Sequence, residues 1–113
     1  MLHAVNVLHG RNLYHGHIRS SNFLLTSCDF LILSDLACYK PVYLNELEII
    51  RNVYKSSIQK CTMAPEKYAE LQEVQPLSQL TRNQVTNLQM MDMFSVGCVL
   101  AEIYTGETLF SLE

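Results

Sequence analysis

At 113 residues the chain has room for one domain with one modest core, since a chain of this size buries only about two-thirds of the surface it exposes when unfolded. Hydrophobic residues make up 49% and charged residues 17%, a globular, core-rich composition that excludes a disordered polypeptide. The net charge of -3, with 8 basic residues spread along the chain, gives no electrostatic basis for a nucleic-acid partner.

From Met1 to Asn12, Leu2, Val5 and Leu8 recur at near-helical spacing and Gly10 follows as a stop, which predicts the end of a helix. No capping residue opens it, so the reading expects the upstream part of a larger domain to be missing from this chain. Asn22-Phe23-Leu24-Leu25-Thr26 and Phe30-Leu31-Ile32-Leu33 are short apolar runs separated by Ser27-Cys28-Asp29, which predicts a small hairpin. Between Asp35 and Glu66 periodicity is lost, and a long, function-bearing surface segment is expected. Residues 70–89 are rich in Gln, Asn, Ser and Thr and read as a polar connection with room for a short helix. Met91 to Thr105 carries apolar side chains on nearly every face, with Gly106 as its stop, and predicts a helix buried on all sides in its parent fold. The fold class is mainly α with a small β-hairpin.

Phe94 to Tyr104 is too short to span a bilayer and is interrupted by Ser95 and Glu102. Met1-Leu2-His3 lacks both a signal-peptide layout and the glycine of a myristoylation signal, so the chain itself is expected to be soluble and cytoplasmic. Cys28, Cys38, Cys61 and Cys98 lie far apart with no C-x-x-C pair, and isolated buried thiols are expected rather than a disulfide framework. His15 and His17, with His3, His9 or Cys28, lack the second spaced pair that a zinc site needs.

Phosphoryl transfer requires a base or hydroxyl-orienting group, a cation near the moving phosphate, and oxygen ligands that hold Mg2+ over the phosphates. Arg19 supplies the cation, Asn22 a neutral oxygen ligand and Asp35 a charged one. Taken singly, these residues also read as a solvated arginine, a turn asparagine and a helix-capping aspartate. His17 stands where the base belongs. A neutral imidazole accepts a proton but brings no carboxylate charge to orient a hydroxyl or balance cations. Asp92, on an apolar helix, must find hydrogen-bond donors, and the backbone N–H groups of the His15-Gly16 turn are the natural ones, which makes it structural.

In chain order, Tyr14-His15-Gly16-His17-Ile18-Arg19-Ser20-Ser21-Asn22, Ser34-Asp35-Leu36-Ala37, Met63-Ala64-Pro65-Glu66 and Asp92-Met93-Phe94-Ser95-Val96-Gly97 resemble the motifs of protein kinases. The resemblance implies a partial C-terminal lobe of a protein-kinase-like α+β fold over residues 1–113. Its parts would be the catalytic loop 15–22, the metal loop 35–37, the activation segment 35–66, the polar connection 70–89 and the buried helix 91–105. It implies ATP and Mg2+ as cofactors, Leu24 as the floor of the adenine pocket, and Leu36 as an apolar plug against the preceding helix. Glu66 would be the partner of an arginine lying beyond residue 113. Gly16 replaces the arginine that an activating phosphate neutralises, so Ser56 and Ser57 read as ordinary loop serines. Ala37 replaces a glycine and restricts flipping of the metal loop. Lys60 stands about where Ser/Thr kinases keep a threonine that contacts the base.

Gly16, Ala37, Tyr39-Lys40-Pro41 and the Phe94-Ser95-Val96-Gly97-Cys98 helix resemble one branch in particular, the vacuolar protein sorting fifteen family. These are the protein-kinase-like regulatory subunits of class III phosphatidylinositol 3-kinase. The resemblance implies a lipid kinase catalytic subunit and further complex subunits as partners, with peripheral association of the longer parent at endosomal and autophagic membranes. Because His17 replaces the aspartate of that family, the expected role is regulatory, with catalysis impaired. An active ATP-dependent Ser/Thr kinase using His17 as its base is the rival expectation, and a truncated product without function of its own is a third.

Overall fold

A computed structural model of the chain describes residues 1–36, 62–66 and 81–110. Helix α1 spans Leu2–His9 and buries Val5 and Leu8, three residues apart on one face. It ends before Asn12. Gly10 occupies the C-cap and donates its N–H to Asn6 O at 2.9 Å, but with right-handed angles (φ -63°). The left-handed residue of this exit is Asn12 (φ 56°), an amino acid that tolerates such angles.

After a 3₁₀ turn over Ser20–Asn22, strands β1 (Phe23–Leu25) and β2 (Leu31–Leu33) pair antiparallel, with Phe23 opposite Leu33 and Leu25 opposite Leu31. The hairpin expected from the two apolar runs is therefore present. Asp29 takes left-handed angles at its tip (φ 61°), while the Thr26 hydroxyl accepts the Phe30 N–H at 3.0 Å. Cys28 lies exposed in this turn, contrary to the expectation of buried thiols. Cys98 is buried.

Helix α2 runs over Arg82–Thr105 and corrects one expectation, its start. It begins well before Met91, so the second half of the polar connection is helical. Thr81 and Gln84 form a capping box, with the Gln84 carbonyl accepting the Thr81 N–H at 2.8 Å and the Thr81 hydroxyl accepting the Gln84 N–H at 3.4 Å. Asn83, Thr86 and Asn87 face outward, as a solvated helical face does. At the far end Gly106 stops the helix with φ 75°, its N–H bonded to Glu102 O. In this chain Asp92, Ser95, Val96, Cys98 and Val99 are buried, whereas Met93, Ile103 and Tyr104 are exposed; the all-round burial expected of this helix concerned its parent fold.

The core forms where these elements meet. Val5 of α1, Ile18 of the intervening loop, and Val96 and Val99 of α2 are each at most 1% exposed, and Met1, Phe23, Leu33 and Leu100 pack around them. Loop 10–22 is thereby pinned by Ile18 between the two helices. Among the described residues no helix is long and apolar enough to cross a membrane.

Candidate functional site

Asp92 lies in the middle of α2 with its carboxylate turned into the chain. The backbone N–H groups of His15 and Gly16 donate to it at 2.6 Å and 2.8 Å, and His9 Nε2 donates at 3.1 Å. Three donors to one buried carboxylate stabilise its charge and fix the loop against the helix. Gly16 sits at φ 74°, where a side chain would be strained. Glycine thus suits the conformation in which this N–H reaches Asp92.

His15 is buried and works through both ring nitrogens. Its Nδ1 accepts the His17 N–H at 3.2 Å, so Nδ1 carries no proton, and Nε2 donates to Ser34 O at 2.9 Å. The ring ties the loop to the end of β2 one residue before Asp35. Ser34 answers with two bonds of its own, its N–H and its hydroxyl both reaching Asn22 O, at 2.8 Å and 2.9 Å.

Asn22 is buried at the end of the 3₁₀ turn. Its Nδ2 donates to His17 O at 2.8 Å and lies 3.4 Å from Asp35 Oδ2. The carbonyl partner identifies that atom as nitrogen and leaves Oδ1 as the acceptor of the amide. His17 Nδ1 lies 3.5 Å from the same Asp35 oxygen, and both side chains are partly exposed. Asp35 adopts φ 71°, a costly region for most residues and one that recurs at functional sites. The atom that Asn22 turns to Asp35 is thus its amide N–H, and the Asp35 carboxylate is the hard oxygen donor that this corner presents. The imidazole adds a nitrogen donor to the same corner.

His17, Asn22, Asp35, His15 and Asp92 are thus gathered into one connected network. Other candidates lie outside it. Arg19 precedes the 3₁₀ turn, and no ion pair joins it to another described residue. Leu24 is 50% exposed, because Phe23 is the residue of β1 that packs on the core. Leu36 is 55% exposed in this chain and takes no part in the core around Val5 and Val96. Glu66 is exposed beside a cleft lined by Ala64, Met90 and Phe94. Ala37, Cys38, Tyr39-Lys40-Pro41, Ser56, Ser57, Lys60 and Cys61 lie outside the described residues.

Three positioning residues escaped the sequence reading. Gln89 Nε2 donates to His9 O at 3.2 Å and Leu13 O at 3.0 Å, closing the C-terminal end of α1. Gln89 stands one helical turn before Asp92, a signal visible only once α2 is known to start at Arg82. His9 has no sequence signal. Thr62 donates its hydroxyl to Ile18 O at 2.8 Å, next to His17, and ties the distant 62–66 segment to the loop.

The class is set by comparison with known proteins, which are serine/threonine protein kinases. The chain is 39% identical over 99% of its length to the putative serine/threonine-protein kinase VPS15 of Komagataella pastoris. It is 36% identical over 100% of its length to the VPS15 kinase of Saccharomyces cerevisiae, and 34% identical over 99% of its length to that of Arabidopsis thaliana. From end to end, then, the chain is a segment resembling the VPS15 serine/threonine-protein kinases. It spans 8% of the length of each of these three relatives. No family model and no solved structure matches it.

Proposed function

We propose that the chain is part of the kinase-like domain of a regulatory subunit in a class III phosphatidylinositol 3-kinase complex, acting in endosomal sorting and autophagy, with phosphoryl transfer impaired. The likeness to VPS15 kinases over the whole chain supports the family of the parent. The observation that carries the impairment is His17 itself, a neutral imidazole standing where the carboxylate base belongs. The parent's partners would be the lipid kinase catalytic subunit and the other subunits of the complex, assembled at the periphery of endosomal and autophagic membranes.

In this reading Asn22 and Asp35 would hold Mg2+, whose charge would offset that of the phosphates of ATP. Arg19 stands two residues past His17 as the cation nearest the transferred group. His17 accepts a hydrogen bond from a substrate hydroxyl but offers no full negative charge to orient it. Loss of a positioned base costs on the order of 10²- to 10⁴-fold in rate.

One observation favours an active ATP-dependent Ser/Thr kinase instead. Asp35 Oδ2 lies 3.5 Å from His17 Nδ1, and a carboxylate beside an imidazole orients the ring and stabilises its protonated form. Phosphate transfer by the full-length parent separates the two readings. Impairment predicts that His17→Asp raises the rate by about 100-fold or more. Robust wild-type turnover abolished by His17→Ala would overturn it.

A further inference from the structure

Thr62 donates its hydroxyl to Ile18 O at 2.8 Å, a bond between residues 44 positions apart. The Ile18 carbonyl belongs to the peptide plane between Ile18 and Arg19, directly after His17. Burial of the Ile18 side chain, 1% exposed against Val5, Val96 and Val99, fixes its Cα and Cβ but not that plane. A planar peptide can still turn about the two soft dihedrals that flank it, here ψ of Ile18 and φ of Arg19. A hydrogen bond to the carbonyl oxygen removes this freedom.

Other parts of the loop are held by other elements. His15 and Gly16 donate their N–H groups to Asp92 of α2, His17 N–H goes to His15 Nδ1, and His17 O receives Asn22 Nδ2. Arg19 O accepts the Asn22 N–H at 3.0 Å, which closes the 3₁₀ turn. Ile18 O lies between these anchors, and its donor comes from segment 62–66. Arg19 continues from it in an extended conformation, φ -153° and ψ 160°.

We propose that Thr62 is a positioning residue: its hydroxyl sets the Ile18–Arg19 peptide plane and makes the presentation of His17 and Arg19 depend on the seating of segment 62–66. What those two side chains do in phosphate transfer rests on the proposed function, whereas the tether itself stands on the hydrogen bond. Two substitutions separate the hydroxyl from the bulk of the side chain. Valine keeps the branched shape of threonine without a donor, and serine keeps the donor without the methyl group.

Nuclear magnetic resonance of the isotope-labelled full chain reads the Arg19 amide, which lies in the same peptide plane, and the His17 imidazole. Thr62→Val is expected to shift or broaden both signals and to leave the His9 imidazole unmoved, while Thr62→Ser retains the wild-type spectrum. Unchanged Arg19 and His17 signals in folded Thr62→Val, or the same shifts in Thr62→Ser, would overturn the proposal. In the full-length parent carrying His17→Asp, Thr62→Val should lower phosphate transfer about 10- to 100-fold by misplacing Arg19, and Thr62→Ser should not. No transfer by the parent with or without His17→Asp, alongside the expected spectral shifts, would overturn the kinase reading and uphold the tether.

Discussion

Among the described residues, Asp92 joins α1, the loop and α2 through one buried carboxylate. Its carboxylate receives His15 N–H, Gly16 N–H and His9 Nε2, and truncation would leave buried donors without an acceptor. Each buried donor so stranded costs about 1–3 kcal/mol, so Asp92→Ala is expected to lower stability by about 3 kcal/mol or more. Urea denaturation followed by circular dichroism measures this, and Asp92→Asn, which keeps one acceptor oxygen, should lose less. Gly16 makes a separate contribution through its backbone. A side chain at φ 74° costs about 1–2 kcal/mol, and Gly16→Ala should show that loss in the same measurement. By position Gly16 is the place of a missing cation, and its left-handed conformation is what the residue itself supplies.

At the scale of elements, α2 organises the molecule from both ends. Its Thr81 and Gln84 box starts the helix inside a stretch whose composition predicts a polar connection with room for a short helix. The motif was present in the sequence as Thr-x-x-Gln before Val85 and Leu88, and composition masked it. Thr81→Ala should cost about 0.5–2 kcal/mol, read as a lower melting temperature. Gln89→Ala removes two bonds to the carbonyls that end α1 and should cost about 1–3 kcal/mol, with faster amide exchange in residues 10–13. The β1–β2 hairpin depends on others for its place. Leu24, Leu25 and Ile32 are half or more exposed, and an isolated two-stranded hairpin is marginal in water, so Phe23 and Leu33 against the core hold it.

For the molecule as a whole, a small core supports a large apolar exterior. Val5, Ile18, Val96 and Val99 form the described centre, and Ile18 links loop to helices there. Ile18→Ala is expected to cost about 2–5 kcal/mol and to disturb His17 beside it, visible as a lower urea midpoint. Leu25 (68%), Phe30 (72%), Ile103 (61%) and Tyr104 (88%) stand in water in this chain. Substituting Phe30 and Tyr104 by polar residues should raise solubility and leave the Asp92 network unchanged, as measured by light scattering and near-ultraviolet circular dichroism.

Residue order along the chain was enough to establish the resemblance to kinases, the hairpin, the Gly106 stop and the identity of the loop residues, because spacing and side-chain type are local properties. Folding alone decided that α2 begins at Arg82, that Leu24 and Leu36 face outward, and that His9, Gln89 and Thr62 brace the loop. Each of these depends on contacts between residues distant in sequence: Gln89 meets Leu13 across 76 positions, and Thr62 meets Ile18 across 44. Linear spacing does not encode such meetings, and only the packing of Ile18 between the two helices brings those partners within reach.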